Sequence, residues 1–175
     1  MEMLPLQART QELWSERNPG LDTSAMQVVA LVKRITVLLD RAVEPVYDGA
    51  ALTTAEVELL VPLRHAESPV TAARLADRLG MSRAGVSKTL GKLEKRGLIT
   101  RTVNPADRRA APITLTPEGK DVIDTVFPRE LEAHTQLLAG LGTDRQRVVD
   151  ALTLLAETMD SRLGQATTPT PPKKP

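Results

Sequence analysis

The sequence predicts a mainly α-helical protein that carries one small β hairpin. Apolar residues recur at helical spacing over most of the chain, and Ser, Thr or Gly marks the points where successive helices should begin and end. Two short segments rich in Ile and Thr flank a polar turn at 104–109, as the strands of a hairpin would. The length of 175 residues suits one globular domain with arms used for association.

The first two helices should occupy residues 6–17 and about 25–43. Asn-Pro-Gly at 18–20 ends the first, and Ser24 with Gln27 fits a capping box at the start of the second. The apolar stripe of the second helix is broader than burial of one side requires. We therefore expect this helix to serve both a core and a partner chain.

A stronger start signal lies just before the third helix. Thr53 can cap this helix, and Glu56 can reach back to the backbone of Thr53. The helix should run to about Ala66, with a kink or an early end at Pro62.

Two further helices follow at short spacing. The first covers residues 71–79 and is stopped by Gly80 in a left-handed conformation, and the second starts at Ser82 as N-cap and runs to Arg96. Two helices joined by a short turn that contains glycine form a helix-turn-helix.

The hairpin strands are expected at 98–103 and 111–115. Pro112 favours an edge position for the second strand, because proline cannot donate to a sheet ladder. The polar turn between the strands would project from the fold.

The C-terminal part should contain two more helices. Thr116 is the expected N-cap of the first, with Pro117 at its first position and a bend at Pro128. Thr143 should start the last helix. Residues 164–175 are rich in Thr and Pro and are expected to be disordered.

The composition excludes several classes of function. The chain has no cysteine and two histidines, so we expect no thiolate metal site, no disulfide and no cofactor. Three aromatic residues are too few for a single-strand stacking platform. No acid–base pair has catalytic spacing, which argues against an enzyme. With no signal peptide and no long apolar run, a cytoplasmic protein that does not contact membranes is expected.

The net charge of +1 hides a strong asymmetry. Residues 71–120 contain eleven Lys or Arg and four Asp or Glu, a net +7, whereas the remainder carries a net −6. A basic middle between acidic ends indicates an anionic partner such as nucleic acid. Chance clustering on a solvated face is the alternative.

The helix that starts at Ser82 separates into two faces. Val86, Leu90 and Leu93 fall at the spacing of a buried side. The opposite face is small or cationic, which would let the helix approach the major groove of DNA. An ordinary amphipathic surface helix is the alternative. The candidate DNA contacts are Ser82, Arg83, Ala84, Ser87, Lys88 and Lys92.

The hairpin supplies further candidate contacts. Arg108 and Arg109 at the turn could enter a minor groove, and Arg101 on the first strand could reach DNA. Asp107 would either pair with Arg109 or only shape the turn. If six phosphates are neutralised, the binding constant should fall with salt at a log–log slope of about −5.

These motifs resemble one bacterial family. Residues 71–119 look like the winged helix-turn-helix of MarR-family transcription regulators, and the most specific stretch is DRRAAPITLTPEG at 107–119. The resemblance implies a mainly α fold with a small two- to three-stranded β wing and a helical dimerisation region. It also implies a homodimer that binds a pseudo-palindromic promoter, usually as a repressor.

The N-terminal extension is similar to a PecS-type subgroup of that family, which includes urate-responsive regulators. The resemblance implies that Trp14 and Glu58 help to form a pocket for a small organic anion. The alternatives are a packing role for Trp14 and a solvated face or a structural ion pair for Glu58.

The expected organisation has four parts. They are N-terminal helices for dimerisation and ligand binding (1–50), a DNA-binding domain (51–116), C-terminal dimerisation helices (117–163) and a tail (164–175). Three other functions stay open: a winged helix that binds protein instead of DNA, a non-specific architectural DNA binder, and a small hydrolase or isomerase.

Overall fold

The computed structural model describes residues 5–68, 70–102 and 111–166. Within them the chain is mainly helical with one small antiparallel sheet, as predicted. The elements are α1 (Pro5–Arg17), α2 (Ala25–Tyr47), α3 (Thr54–Arg64), α4 (Ala72–Leu79), α5 (Arg83–Lys95), β1 (Ile99–Arg101), β2 (Ile113–Leu115), α6 (Pro117–Leu137) and α7 (Arg145–Ala166). A 3₁₀ helix, Ala139–Asp144, precedes α7. No helix in these ranges is long and apolar enough to cross a membrane.

The chain forms two compact units. The first ends at Leu137, and the second begins at Leu138 and contains the 3₁₀ helix and α7. The core of the first unit lies where α3, α5, α6 and the sheet meet. Its most deeply buried side chains are Leu52, Val57, Leu59, Leu60, Leu75, Val86, Leu90, Leu93, Ile99 and Ile123.

Local capping sets the turn between α4 and α5. The Oγ1 of Thr71 accepts a hydrogen bond from the Arg74 amide at 3.3 Å, and Ser82 Oγ accepts one from the Gly85 amide at 3.1 Å. Gly80 takes a left-handed φ of 63°, which a residue with a Cβ rarely adopts. The predicted Ser82 cap and glycine stop are therefore confirmed, and Thr71 caps α4 where it was expected to be the first helical residue.

The sheet is shorter than predicted. β1 pairs with β2 in the register Ile99↔Leu115, Thr100↔Thr114 and Arg101↔Ile113. Val70 forms an isolated bridge with Ile113, so β2 is flanked on both sides and is not the edge that Pro112 suggested. Residues 103–110, which include the predicted turn, lie outside the described part of the chain.

Thr116 joins the sheet to α6. Its backbone amide donates to the Leu98 carbonyl at 3.1 Å, and its hydroxyl donates to the Gly97 carbonyl at 2.7 Å. The same oxygen accepts from the Gly119 amide at 3.0 Å, so the predicted N-cap is confirmed. The start of α6 is thus fixed against the residues that precede β1.

Some predicted helix ends were wrong. The Ser24 side chain makes no capping hydrogen bond, since Ser24 itself has helical φ and ψ angles of −58° and −34°, and its amide donates to Asp22 Oδ1 at 2.9 Å. α3 ends at Arg64, two residues after Pro62, which agrees with the early end expected there. α7 begins after the 3₁₀ helix, not at Thr143, and continues to Ala166, past the predicted end of the last helix.

Candidate nucleic-acid interface

The two faces of α5 differ as the helical spacing predicted. The side chains of Val86, Leu90 and Leu93 have an exposed fraction of 0%. The opposite face is exposed to solvent. Its exposed residues, with the cap, are Ser82, Arg83, Ala84, Ser87, Lys88 and Lys92. Because the apolar face of α5 is packed in the core, the orientation of its cationic face is fixed.

The cationic side chains on and around this face differ in whether they form an ion pair. Arg83 Nη2 lies 3.4 Å from Asp77 Oδ1, and both side chains are largely exposed. Lys88 and Lys92 form no ion pair with any residue that the structure describes. These two lysines therefore carry uncompensated positive charge on the exposed face of α5.

Arg96, just after α5, is used within the fold. Its Nη1 donates to Glu56 Oε1 at 2.9 Å, and its Nη2 donates to the Ala51 carbonyl. Glu56 is 4% exposed and also accepts from the Thr53 amide at 2.9 Å. Burial would raise the pKa of the Glu56 carboxyl, but the hydrogen bonds from Thr53 and Arg96 outweigh it and lower that pKa.

Arg101, a predicted DNA contact, lies beside α5. Its Nε is 3.2 Å from Glu94 Oε2, and the side chain is only 21% exposed. The Nε is buried and lacks hydrogen-bond geometry with any described atom. The other predicted hairpin contacts, Asp107, Arg108 and Arg109, lie outside the described residues.

The predicted ligand residue Trp14 lies beside a cavity. It is 53% exposed on α1 and lines a cavity of about 220 Å³ with Thr10, Leu13, Arg17 and Asn18. Glu58, the other predicted ligand residue, has an exposed side chain on α3 and is not among the residues that line this cavity.

Tyr47 at the end of α2 has an unexpected partner. Its hydroxyl donates a hydrogen bond to Glu130 Oε2 on α6. Burial raises the pKa of the Tyr47 hydroxyl, and the hydrogen bond and charge of Glu130 and the charge of Glu58 raise it further. The phenol therefore stays protonated as a donor, and it connects the long helix to α6.

A bidentate ion pair joins α3 to α6. Arg64 Nε and Nη2 each lie 2.8 Å from a carboxylate oxygen of Asp124. The pair borders a largely apolar cavity of about 270 Å³ that Val61, Ile123 and Phe127 help to line. Among the described residues, no group of His, Asp and Glu is arranged to hold a metal ion.

A family model and known relatives agree with this architecture. The model of the MarR family matches residues 52–110, which include α3, α4, α5 and β1. PecS, an HTH-type transcriptional regulator from Dickeya dadantii (strain 3937), is 27% identical over 141 residues, which cover 79% of this chain and 85% of PecS. The chain is therefore similar to the MarR family over residues 52–110.

Solved structures share this fold. CouR from Rhodococcus jostii RHA1, solved with bound p-coumaroyl-CoA, is 26% identical to this chain with a TM-score of 0.63. The match covers 74% of this chain and 91% of CouR. BpsR from Bordetella bronchiseptica, whose DNA binding is regulated by 6-hydroxynicotinic acid, is 24% identical with a TM-score of 0.68 and covers 74% of this chain and 98% of BpsR. The winged-helix fold is thereby confirmed.

The chain also exposes apolar surface on α2. Val28, Val32 and Ile35 recur at helical spacing with exposed fractions of 40–45%. Contiguous exposed apolar surface of this kind marks an association site in soluble proteins. In the second unit, α7 likewise exposes Val149, Leu152 and Leu163.

Proposed function

We propose that this protein is a homodimeric, sequence-specific DNA-binding regulator that represses transcription and is released by a small organic anion. It acts in the cytoplasm and catalyses no reaction. Residues 51–116 form the DNA-binding domain, and residues 1–50 and 117–163 contribute to dimerisation. The observation that carries the proposal is the exposed face of α5, where two lysines have no carboxylate partner among the residues that the structure describes.

The chemistry of this face suits a DNA groove. Ala84 and Ser87 are small enough to allow close approach, and Lys88 and Lys92 can reach phosphates or guanine edges. The N-terminus of α5 adds a positive dipole that favours a nearby phosphate. Arg108 and Arg109 would extend the contact into the adjacent minor groove.

Dimerisation is supported by the exposed apolar stripe on α2. A second copy would remove Val28, Val32 and Ile35 from water, each gaining up to about 2 kcal/mol if fully buried. A two-fold dimer presents two copies of α5, which reach successive major grooves when they lie about one helical turn apart.

In the ligand part of the proposal, the bound ligand changes the distance between the two α5 helices of the dimer. CouR holds p-coumaroyl-CoA on the same fold, which supports an organic ligand for this chain. Glu58 is not among the residues that line the cavity beside Trp14, so we propose that the second copy or a shift of α1 completes the ligand site. A ligand releases DNA only if it binds better to a dimer whose two α5 helices are wrongly spaced.

In vitro selection of duplexes from random sequence tests the DNA proposal. We expect a pseudo-palindromic site, binding by a dimer in sedimentation, and a log–log salt slope of about −5. Equal affinity for selected and scrambled duplexes would indicate an architectural binder. Absence of salt-dependent DNA binding would favour a protein-interaction module. Repression itself is tested by a reporter gene placed behind the selected site.

Thermal shift with 6-hydroxynicotinate and p-coumaroyl-CoA tests the ligand proposal. A raised melting temperature and release of the selected duplex are expected for at least one organic acid. Trp14→Ala should abolish the shift, whereas Trp14→Phe should retain part of it. An undiminished shift in Trp14→Ala would leave Trp14 as a packing residue.

A further inference from the structure

We infer that Glu94 and Arg101 form a strut that positions the hairpin against α5, and that Arg101 serves DNA recognition through this strut rather than by contacting DNA. The inference rests on the proposed DNA-binding function. It assigns Glu94 a role in specificity, although a carboxylate beside a DNA-binding face would by itself repel phosphate.

The strut lies at the end of the sheet that leads into residues 103–110. Arg101 is the last residue of β1, and Glu94 lies on α5 seven residues after Ser87, on the flank of the exposed face. The Arg101 Nε is buried at 3.2 Å from the Glu94 carboxylate. The Nε–H of Arg101 therefore cannot reach a phosphate without leaving Glu94.

The two ends of the sheet are held by different interactions. At the Ile99↔Leu115 end, Thr116 bonds to the backbone of Gly97 and Leu98. At the Arg101↔Ile113 end, the Ile113 amide donates to the Val70 carbonyl at 2.9 Å, and Arg101 meets Glu94. Ile113 is also buried in the core with Val86 and Leu90 of α5, and the Glu94 contact adds an ion pair between α5 and Arg101. We therefore expect this ion pair to fix the direction in which β1 leaves α5.

A positioning role of Glu94 and a purely electrostatic one predict opposite effects of its removal on DNA binding. Removing a carboxylate near DNA should tighten binding to every duplex. If Glu94 positions the hairpin, Glu94→Gln should instead lower the ratio of affinities for the selected and the scrambled duplex. The expected loss is on the order of fivefold, as for a partly exposed ion pair.

The experiment compares full-length variants on the two duplexes over a range of salt. Glu118→Gln is the matched control, because Glu118 is an exposed carboxylate in the same basic region without an ion pair among the described residues. Glu118→Gln should keep the wild-type ratio of affinities for the selected and the scrambled duplex. Arg101→Met should lower the ratio while changing the salt slope by much less than the ≈1 expected for loss of a phosphate contact. Glu94→Arg combined with Arg101→Glu should regain part of the ratio.

Hydrogen exchange provides a readout without DNA. The Thr102 amide donates to the Pro112 carbonyl at 3.0 Å, next to the strut. It should exchange faster in Glu94→Gln than in wild type or Glu118→Gln. The inference is overturned if Glu94→Gln keeps both the ratio and the Thr102 protection, or if Arg101→Met loses a full unit of slope. If the wild type selects no duplex but Thr102 protection still depends on Glu94, the proposed function fails and the strut stands.

Discussion

Gly119, in the first turn of α6, lies against the backbone of Leu98. A methyl group added at Gly119 would stand 2.0 Å from the Leu98 carbonyl oxygen and 3.1 Å from the Leu115 side chain. Thr116 donates its amide to the same carbonyl. The start of α6 can therefore sit this close to β1 only because position 119 has no side chain.

Gly119→Ala should destabilise the protein. The neighbouring atom is backbone and cannot move aside as a flexible side chain could, so we expect a loss of about 3 kcal/mol. Urea unfolding measures the change. Gly91→Ala is the control, because a methyl group there meets nothing within 4 Å and should stabilise α5 by up to about 1 kcal/mol. Equal effects of the two substitutions would show that the close approach is absent.

The parts of the fold that depend on near neighbours were predictable from the sequence. Spacing alone predicted the buried side of α5, and the predicted cap at Ser82 bonds to an amide three residues away. Ser24 was mispredicted as a cap because the residue itself adopts helical φ and ψ angles, which the capping pattern does not reveal. Gly119 was recognised only as part of a family pattern, since its reason lies in contact with Leu98.

Pairings between distant residues could not be predicted. Tyr47 and Glu130 are 83 positions apart, and Glu56 and Arg96 are 40 apart. Glu56 was expected to reach back to Thr53, and it does, but nothing in its surroundings in the sequence indicates a second partner. Arg101 was assigned to DNA on charge alone, because its proximity to Glu94 depends on how β1 leaves α5.

Glu56→Gln should lower stability by about 1–2 kcal/mol, since it removes the negative charge and replaces one of the two buried oxygens that accept from Thr53 and Arg96 by a donor. The expected loss of stability is small for a buried carboxylate, because Arg96 is 40% exposed and water can solvate it when its partner is removed. Chemical denaturation at neutral pH measures the loss.

The effect of Glu56→Gln should also depend on pH. The folded protein holds the pKa of Glu56 below its ordinary value of about 4.3. Its contribution is therefore complete above that ordinary value and disappears as pH falls through the lower folded pKa. The wild type and the variant should converge in strongly acidic solution. A constant difference across the acid range would contradict the ion pair.

Asp124→Asn should lower the melting temperature at neutral pH by removing the bidentate partner of Arg64. The hydrogen bonds from Arg64 are the main reason that the pKa of Asp124 is depressed, with smaller contributions from the charges of Arg64, His65 and Lys120 against an opposing effect of burial. The contribution is thus lost as pH falls below about 3.9 and through the folded pKa. Glu67→Gln removes an exposed, unpaired charge and should change little at any pH.

Lys88→Ala should weaken binding to selected and scrambled duplexes and reduce the salt slope by about 0.9, the loss of one phosphate contact. The dimer should stay intact, because the side chain is exposed opposite the buried face of α5. Lys33→Ala on α2 removes the same charge elsewhere and should leave the slope unchanged. Loss of folding in Lys88→Ala would mean that its face is wrongly assigned.

Asp77→Asn should have the opposite effect to Glu94→Gln. Asp77 and Arg83 are 64% and 75% exposed and 3.4 Å apart, so solvent screens the pair and it contributes little to stability or position. Removing Asp77 mainly removes repulsion beside α5. Binding to selected and scrambled duplexes should therefore tighten by a similar factor, about twofold to fivefold at low salt. A fall in selectivity would show instead that Asp77 orients Arg83 for recognition, because an exposed pair that acts only through its charge cannot discriminate between sequences.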